Sequence, residues 1–214
     1  MIPANSLVLF QGDSITDAGR SRDGADPNRP AGLGHGYVTQ IAARLLAARP
    51  KDTLRILNRG VSGDRVTNLL ARWKSDAIIL APDVISILVG VNDTVHEITK
   101  QTGVEPEMFE RVYRMLLAYT REKLPVVKLV LCEPFLLKTG PVEDAWLPEL
   151  ARRRASVKKL AAEFGAVFVP LQAAFDAALA KAPPAYWAPD GVHPSPSGYA
   201  VMADAWLAAM EEKA

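Results

Sequence analysis

Two hydrophobic patterns alternate along the chain: short unbroken apolar runs, and longer stretches in which apolar residues return every three or four positions. Unbroken runs predict strands that are buried on both faces, and the second pattern predicts amphipathic helices. The predicted strands are Leu7–Phe10, Leu54–Leu57, Asp83–Val89, Val126–Cys132 and Ala166–Val169. The predicted helices are Tyr37–Ala48, Val66–Leu80, Phe109–Leu124, Leu150–Phe164, Gln172–Lys181 and the region from Pro196 onward.

Strands that alternate with amphipathic helices are typical of the α/β class. The pattern predicts a doubly wound, five-stranded parallel sheet in three layers, with helices on both faces. Ser62 or Asp64 is expected to cap the second helix, and Ser195 the last one. Asn92 and Asp93 are expected in the loop that follows the third strand.

Two irregular segments separate these elements, Gly19–Gly36 and Phe135–Pro148. Loops of this size carry function or mediate contacts, although the first would equally suit a solvated insertion. Neither a repeat nor a linker divides the chain, so we expect residues 1–214 to form a single domain.

The amino-acid composition of the chain excludes several classes of protein and of partner. With 49% hydrophobic and 23% charged residues the chain is an ordinary globular one, which excludes disordered and fibrous classes. A formal net charge of +1 argues against nucleic acid and anionic membranes as partners. Cys132 is the only cysteine, and the three histidines are scattered, so we expect no internal disulfide and no metal site. The N-terminal residues lack a signal-peptide pattern, and we expect a cytoplasmic protein.

Three polar features follow three of the predicted strands. Ser14 comes after the first strand, Gly60 after the second and Asn92 after the third. The carboxyl ends of parallel strands lie at one edge of the sheet, where such folds bind their ligands near the point at which strand order reverses. We therefore expect these residues to lie close together.

The segment Ala185–Ser195 brings a carboxylate and an imidazole into one stiff loop. Asp190 and His193 are three residues apart, between Pro189 and Pro194. A carboxylate so placed can hold the Nδ1 proton of the ring and leave Nε2 free to accept a proton from a serine hydroxyl. Serine needs such a base, together with an oxyanion site, to act as a nucleophile. Taken alone, each segment would also suit an ordinary turn.

Together these segments resemble the SGNH or GDSL family of esterases and lipases. Four sequence blocks occur in the family's order: Gly12-Asp13-Ser14, the glycine block around Gly60 within Asn58–Gly63, Gly90-Val91-Asn92-Asp93, and Asp190-Gly191-Val192-His193. Ile15 stands where the family name has leucine. Within the family the chain is most similar to compact bacterial acetylxylan esterases and related carbohydrate acetylesterases, through GDSITDAGR, GLGHGYV, NRGVSGDRV and WAPDGVHPS.

The resemblance implies a flavodoxin-like SGNH fold and a mechanism without cofactor. Ser14 would be the nucleophile, His193 the base and later the acid, and Asp190 its orienting partner. The oxyanion would be held by the backbone amides of Ser14 and Gly60 and by the side-chain amide of Asn92. The resemblance also implies a homo-oligomer.

Asp13, Trp187 and Tyr186 are the candidate substrate-binding residues. Trp187 is a candidate to line a small acyl pocket or to stack on a sugar, and Tyr186 is a candidate for the same two roles. A buried structural role is the alternative for Asp13, as it is for Asp93, and packing against the last helix is the alternative for Trp187 and for Tyr186.

The leading hypothesis is a serine esterase that removes acetyl groups from decorated sugars such as xylo-oligosaccharides. A lysophospholipase or acyl thioesterase on the same scaffold is the nearest rival, but Phe135–Leu137 is the only apolar loop segment that would suit a lipid. A catalytically silent carbohydrate-binding protein is an alternative from another class. A flavodoxin-like redox or phosphate-binding domain is a further one, although Gly60–Asp64 contains too few glycines for a phosphate cradle.

Overall fold

The computed structural model describes residues 1–23 and 26–211. Its strands are β1 (Leu7–Gly12), β2 (Arg55–Asn58), β3 (Val84–Leu88), β4 (Lys128–Cys132) and β5 (Val167–Val169). They form one parallel sheet in the order β2-β1-β3-β4-β5. In the register of the central strands, Leu9 of β1 lies opposite Leu57 of β2 and Ile85 of β3.

Helices connect the strands. They are α1 (Ser14–Asp17), α2 (Pro30–Leu33), α3 (Tyr37–Ala48), α4 (Val66–Trp73), α5 (Val91–Lys100), α6 (Pro106–Lys123), α7 (Trp146–Glu163), α8 (Leu171–Ala178), α9 (Pro184–Trp187) and α10 (Pro196–Glu211). A π-helical turn, Lys74–Ile78, continues α4, and a short 3-10 helix, Pro50–Asp52, precedes β2.

Side chains of each strand point alternately into two apolar layers, as the pleat of a strand requires. On β1, Val8 and Phe10 face the layer that contains α3, α8 and α10, whereas Leu7 and Leu9 face the layer of α4 and α6. The sheet is thus covered on both faces, and the predicted doubly wound α/β fold is confirmed.

The strand order reverses beside β1. The chain crosses from β1 to β2 on one side and then returns to place β3 on the other side. Loops that leave the carboxyl ends of β1 and β3 therefore diverge, and a crevice opens between them. Ser14 comes two residues after the end of β1, and Asn92 four residues after the end of β3.

Several element predictions need correction. Asn92 and Asp93 lie in the first turn of α5, not in a loop; the prediction missed this helix, although Val91, Val95 and Ile98 recur in it at helical spacing. Neither Ser62 nor Asp64 caps α4: the N-cap is Arg65, whose backbone N–H donates to Asn68 Oδ1 at 3.1 Å.

The loop predictions were too broad. α7 begins at Trp146, inside the segment predicted as irregular, and α2 lies within Gly19–Gly36. Residues 24 and 25 of that segment lie outside the described residues. The cap at Ser195 is confirmed, since its Oγ accepts the N–H of Gly198 at 3.2 Å.

We expect Trp206→Ala to lower the free energy of unfolding by about 3–5 kcal/mol, because the change leaves a cavity in the core. Trp206 is buried, its ring centroid lies 5.4 Å from that of Phe10, and its indole N–H donates to Ser86 Oγ at 3.0 Å. Urea denaturation measures the loss. Val126→Ala is the matched control, because Val126 is 95% exposed and its change should stay within about 0.5 kcal/mol. Equal stability of both variants would contradict a packing role for Trp206 in the core.

Candidate active site

Ser14 is presented by the turn between β1 and α1. Asp13 is the N-cap of α1, and its Oδ1 accepts the backbone N–H of Ile15 at 3.0 Å. This cap places Ser14 at the first position of the helix, at the carboxyl edge of the sheet. Ser14 is partly exposed, so its hydroxyl is accessible from the crevice.

One hydrogen bond joins Ser14 to the loop between α9 and α10, and a second, within that loop, continues from it. Ser14 Oγ lies 2.9 Å from His193 Nε2, and His193 Nδ1 lies 2.7 Å from Asp190 Oδ2. Asp190 Oδ1 accepts the backbone N–H groups of Val192 and His193 at 2.9 and 2.7 Å. The structure therefore brings together the three residues that the sequence proposes as a triad.

The surroundings of the Asp190 carboxyl group favour its ionised form. Partial burial acts to raise its pKa, but the hydrogen bonds from the His193 ring and from the two backbone amides outweigh burial and lower the pKa below its ordinary value. An ionised carboxylate at Nδ1 keeps the ring proton on that nitrogen and leaves Nε2 as the acceptor toward serine.

The loop that carries His193 rests on the segment after β4. Gly191 has a φ of +78°, and its carbonyl accepts the N–H of Leu137 at 2.9 Å. A Cβ at position 191 would collide with the carbonyl oxygen of Leu137, so glycine is required here. Sequence reasoning missed this role of Leu137, because a backbone contact over such a distance leaves no side-chain signal.

Gly60 does not fit the role of oxyanion donor, which corrects the sequence-based prediction. Its N–H donates to Asn58 Oδ1 at 2.9 Å, and a Cβ on Gly60 would collide with the backbone nitrogen of Asp17. Gly60 is therefore a close-packing position whose amide is already bonded.

Gly63, three residues later, has the properties that Gly60 lacks. It is exposed, and within residues 1–23 and 26–211 no acceptor pairs with its N–H. The Ser14 amide likewise has no acceptor in the described part of the chain. Asn92 is half-buried, and its Nδ2 donates one hydrogen to the Asp64 carbonyl at 3.2 Å, which leaves its second hydrogen available.

The three predicted substrate-binding residues lie in different environments. Asp13 is fully buried below Ser14 and cannot contact a substrate, so that prediction is corrected in favour of the structural alternative. Trp187 is only 8% exposed, and its indole N–H donates to the Ala182 carbonyl at 3.1 Å, which fits the packing alternative. Tyr186 is 54% exposed and is the one of the three that a ligand can reach.

Two buried carboxylates, Asp13 and Asp93, lie directly beside the site residues Ser14 and Asn92 in the chain. Burial raises the pKa of Asp13 and of Asp93 to about 7. Asp93 Oδ1 accepts the N–H of Val66, the first residue of α4, at 3.1 Å and so ties α5 to α4. Cys132 is no rival nucleophile, because burial raises the pKa of its thiol to about 12.

Nothing in the described residues forms a group of three or more histidine, cysteine, aspartate and glutamate side chains that could hold a metal ion. Of the helices in residues 1–23 and 26–211, none combines the length and the apolar character needed to cross a membrane.

A serine, an imidazole and a carboxylate joined by hydrogen bonds at one edge of an α/β sheet are the arrangement of serine hydrolases. The chain belongs to the GDSL-like lipase/acylhydrolase family, whose model matches residues 10–201. The resemblance noted in the sequence is thereby confirmed, and the protein is a carboxylic ester hydrolase.

Its relatives include an acetylxylan esterase from Geobacillus stearothermophilus, which is 36% identical over 211 residues and is matched over 96% of this chain and 94% of its own length. The crystal structure of that esterase superposes with a TM-score of 0.89 at 35% identity, covering 98% of this chain and 95% of the other. Catalytic mutants of the same esterase, at a serine and at an aspartate, are also similar structures. A candidate GDSL-like lipase from Parabacteroides merdae has a TM-score of 0.96 at 43% identity, with 99% and 98% coverage.

We expect Asp93→Asn to weaken the pH dependence of stability. Between pH 3.8, the ordinary pKa of aspartate, and about 7, the folded state holds a proton on Asp93 that the unfolded state releases. The free energy of unfolding therefore falls as pH rises through this window, by at most about 1.4 kcal/mol per pH unit for each such group. Asparagine can accept the Val66 N–H but does not titrate.

Urea denaturation from pH 4 to pH 8 tests this. Near pH 4 both proteins carry a neutral side chain at position 93, which makes that point the internal control. Parallel stability curves for the two proteins would show that Asp93 does not titrate in this range.

Proposed function

We propose that the protein is a serine esterase that hydrolyses small acyl esters, and that its substrates are acetyl esters of xylo-oligosaccharides or related sugars. The observation that carries this proposal is the continuous hydrogen-bonded relay from Ser14 Oγ through His193 to Asp190. The acetylated-sugar substrate is supported by the similarity to the acetylxylan esterase of Geobacillus stearothermophilus.

In the first half of the reaction, Ser14 Oγ attacks the carbonyl carbon while its proton passes to His193 Nε2. The carbonyl double bond opens to a tetrahedral intermediate with a negatively charged oxygen. His193 then gives its proton to the sugar oxygen, the bond between that oxygen and the carbonyl carbon breaks, and an acetyl group remains on Ser14.

In the second half, water replaces the sugar. His193 takes a proton from the water, whose oxygen attacks the acetyl carbon, and returns it to Ser14 Oγ as acetate leaves. The charge that His193 acquires in both halves is stabilised by the ionised Asp190, 2.7 Å from Nδ1.

The oxyanion site we propose consists of the backbone amides of Ser14 and Gly63 and the side-chain amide of Asn92. Each can offer a hydrogen that no acceptor in the described residues fully occupies. Such donors act on the charge that develops in the transition state, which is why they accelerate the reaction more than they strengthen substrate binding.

The surroundings of the relay favour a sugar ester over a lipid. Tyr186, on α9, offers an exposed ring of the kind that packs against a sugar. The apolar segment Phe135–Leu137, which would have suited an acyl chain, is buried. The apolar cavity of about 290 Å³, lined by Met1, Ile2 and Trp206 among others, adjoins the end of α3 at the opposite edge of the sheet and contains none of the relay residues.

Three further expectations stay predictions: one domain over residues 1–214, a homo-oligomeric assembly and a cytoplasmic location. The hypothesis of a catalytically silent carbohydrate-binding protein is less favoured, because Ser14, His193 and Asp190 are all present and hydrogen-bonded in that order.

We expect wild-type protein to release acetate from acetylated xylo-oligosaccharides near neutral pH, and Ser14→Ala to reduce the rate by roughly 10⁴-fold or more, because the nucleophile is gone. Ser75→Ala, an exposed serine on the π-helical turn, is the matched control and should keep full activity. Rates that rise with acyl-chain length would instead favour the lysophospholipase or thioesterase. Sugar binding without turnover would favour the silent binding protein.

We expect Asn92→Ala to lower kcat by about two to three orders of magnitude, as the loss of one oxyanion donor typically does, with little change in KM. Steady-state kinetics on the same substrate measure the effect, and circular dichroism verifies the fold. Unchanged turnover would remove Asn92 from the mechanism.

A further inference from the structure

We propose that Asp17 is a positioning residue that holds the Gly63 amide toward Ser14. The proposal rests on the proposed esterase function. Asp17 is the last residue of α1, and its Oδ2 accepts the backbone N–H of Ser62 at 3.0 Å. Ser62 directly precedes Gly63 in the loop between β2 and α4.

The amides of that loop show why this bond matters. From residue 59 to residue 66, each backbone N–H except that of Gly63 has an acceptor in the described structure. The acceptors are, in order, the Phe10 carbonyl, Asn58 Oδ1, the Gly12 carbonyl, Asp17 Oδ2, then the Val61 carbonyl for Asp64, Asn68 Oδ1 and Asp93 Oδ1. The loop is thus bonded on both sides of the one amide that it leaves free.

Asp17 is itself well fixed. Its side chain is buried, its own N–H donates to the Asp13 carbonyl at 2.8 Å, and its carbonyl accepts the N–H of Arg20 at 3.0 Å. Gly60 packs directly on its backbone. Because Asp17 is fixed relative to α1, its bond to Ser62 also fixes the loop between β2 and α4 relative to α1.

A short series of contacts therefore connects Ser14, the proposed nucleophile, with Gly63, a proposed oxyanion donor. Ser14 begins α1 and Asp17 ends it, so one helical turn and one hydrogen bond separate Ser14 from Ser62. An oxyanion donor must lie within about 2.7–3.1 Å of the developing charge, and a displacement of about 1 Å can cost about 100-fold in rate. No other side chain in the described residues bonds the Ser62 amide.

An ordinary ion pair is the alternative explanation for Asp17. Arg22 Nη2 lies 3.2 Å from the same Oδ2. Arg22 is 60% exposed, however, and exposed ion pairs contribute little. Arg22→Gln therefore serves as the matched control, because it removes the ion pair and leaves the bond to Ser62.

The first experiment compares kcat and KM of four proteins on p-nitrophenyl acetate. We expect Asp17→Ala to lower kcat by about 10- to 100-fold with KM changed by less than about threefold, because the chemistry loses a positioned donor and ground-state binding does not. Asp17→Asn should recover most of the rate, since its amide oxygen still accepts the Ser62 N–H. Arg22→Gln should match the wild type. A wild-type kcat for Asp17→Ala, or an equal loss for Arg22→Gln, would overturn the proposal.

Asp17→Glu covers the case in which Asp17→Ala fails to fold. The extra methylene keeps the charge and the ion pair but moves the acceptor, so we expect a loss of kcat comparable to that of Asp17→Ala. A folded Asp17→Glu with wild-type kcat would contradict the role.

Hydrogen exchange of the segment 60–66 separates this proposal from the proposed function, because it needs no substrate. The Ser62 amide should exchange at least about tenfold faster in Asp17→Ala than in the wild type, and more slowly in Asp17→Asn than in Asp17→Ala. Faster exchange in a protein that hydrolyses no ester would overturn the function and keep the link between Asp17 and the loop. Unchanged exchange in an active enzyme would overturn the link and keep the function.

Discussion

The hydrogen bonds that pair β1 with its neighbours determine where chemistry can occur in this protein. Pairing continues past the end of β2, since the N–H of Val61 donates to the Gly12 carbonyl at 2.9 Å. Gly12 also lies opposite Leu88, the last residue of β3. These bonds align three strand ends, and the loops that leave them must share one crevice. A shift of one residue in this register would turn each side chain of β1 to the other layer and separate Ser14 from Asn92 and His193.

The apolar pattern predicted all five strands and the layers around them, because burial on both faces leaves a strong signal in sequence. It missed α5, because Gly90, Asn92 and Asp93 suggest a loop at its start, although Val91, Val95 and Ile98 recur at helical spacing. The predicted triad residues lie within hydrogen-bond distance, since their types and order restrict them strongly. The choice between Gly60 and Gly63 depended instead on which amide is already bonded. Asn58 was the available signal: asparagine side chains commonly accept the N–H two residues later, which removes Gly60 as a donor.

Two buried carboxylates next to the site residues, Asp13 and Asp93, lower the stability of the fold when they ionise. Asp13 and Asp93 each occupy an interior that raises the pKa to about 7, so ionising them at neutral pH opposes folding. Both nevertheless accept backbone N–H groups at helix starts, Asp13 that of Ile15 and Asp93 that of Val66. An apolar residue at either position would remove the penalty and leave a buried amide without an acceptor. The two carboxylates are therefore better understood as parts of the framework that aims Ser14 and Asn92 than as reacting groups.

The position of Ser14 is a tertiary property, although a helix carries it. α1 spans only four residues, far too few to be stable on its own. Asp13 caps its start, Thr16 Oγ1 lies 3.0 Å from the hydroxyl of Tyr37, and the Thr16 carbonyl accepts Asn58 Nδ2 at 2.6 Å. At the other end Asp17 bonds the loop that contains Gly63. The bonds of Thr16 and Asp17 join α1 to α3, to β2 and to the loop after β2, so the nucleophile keeps its geometry only while these elements remain assembled. This dependence ties the activity of the site to the global stability of the domain.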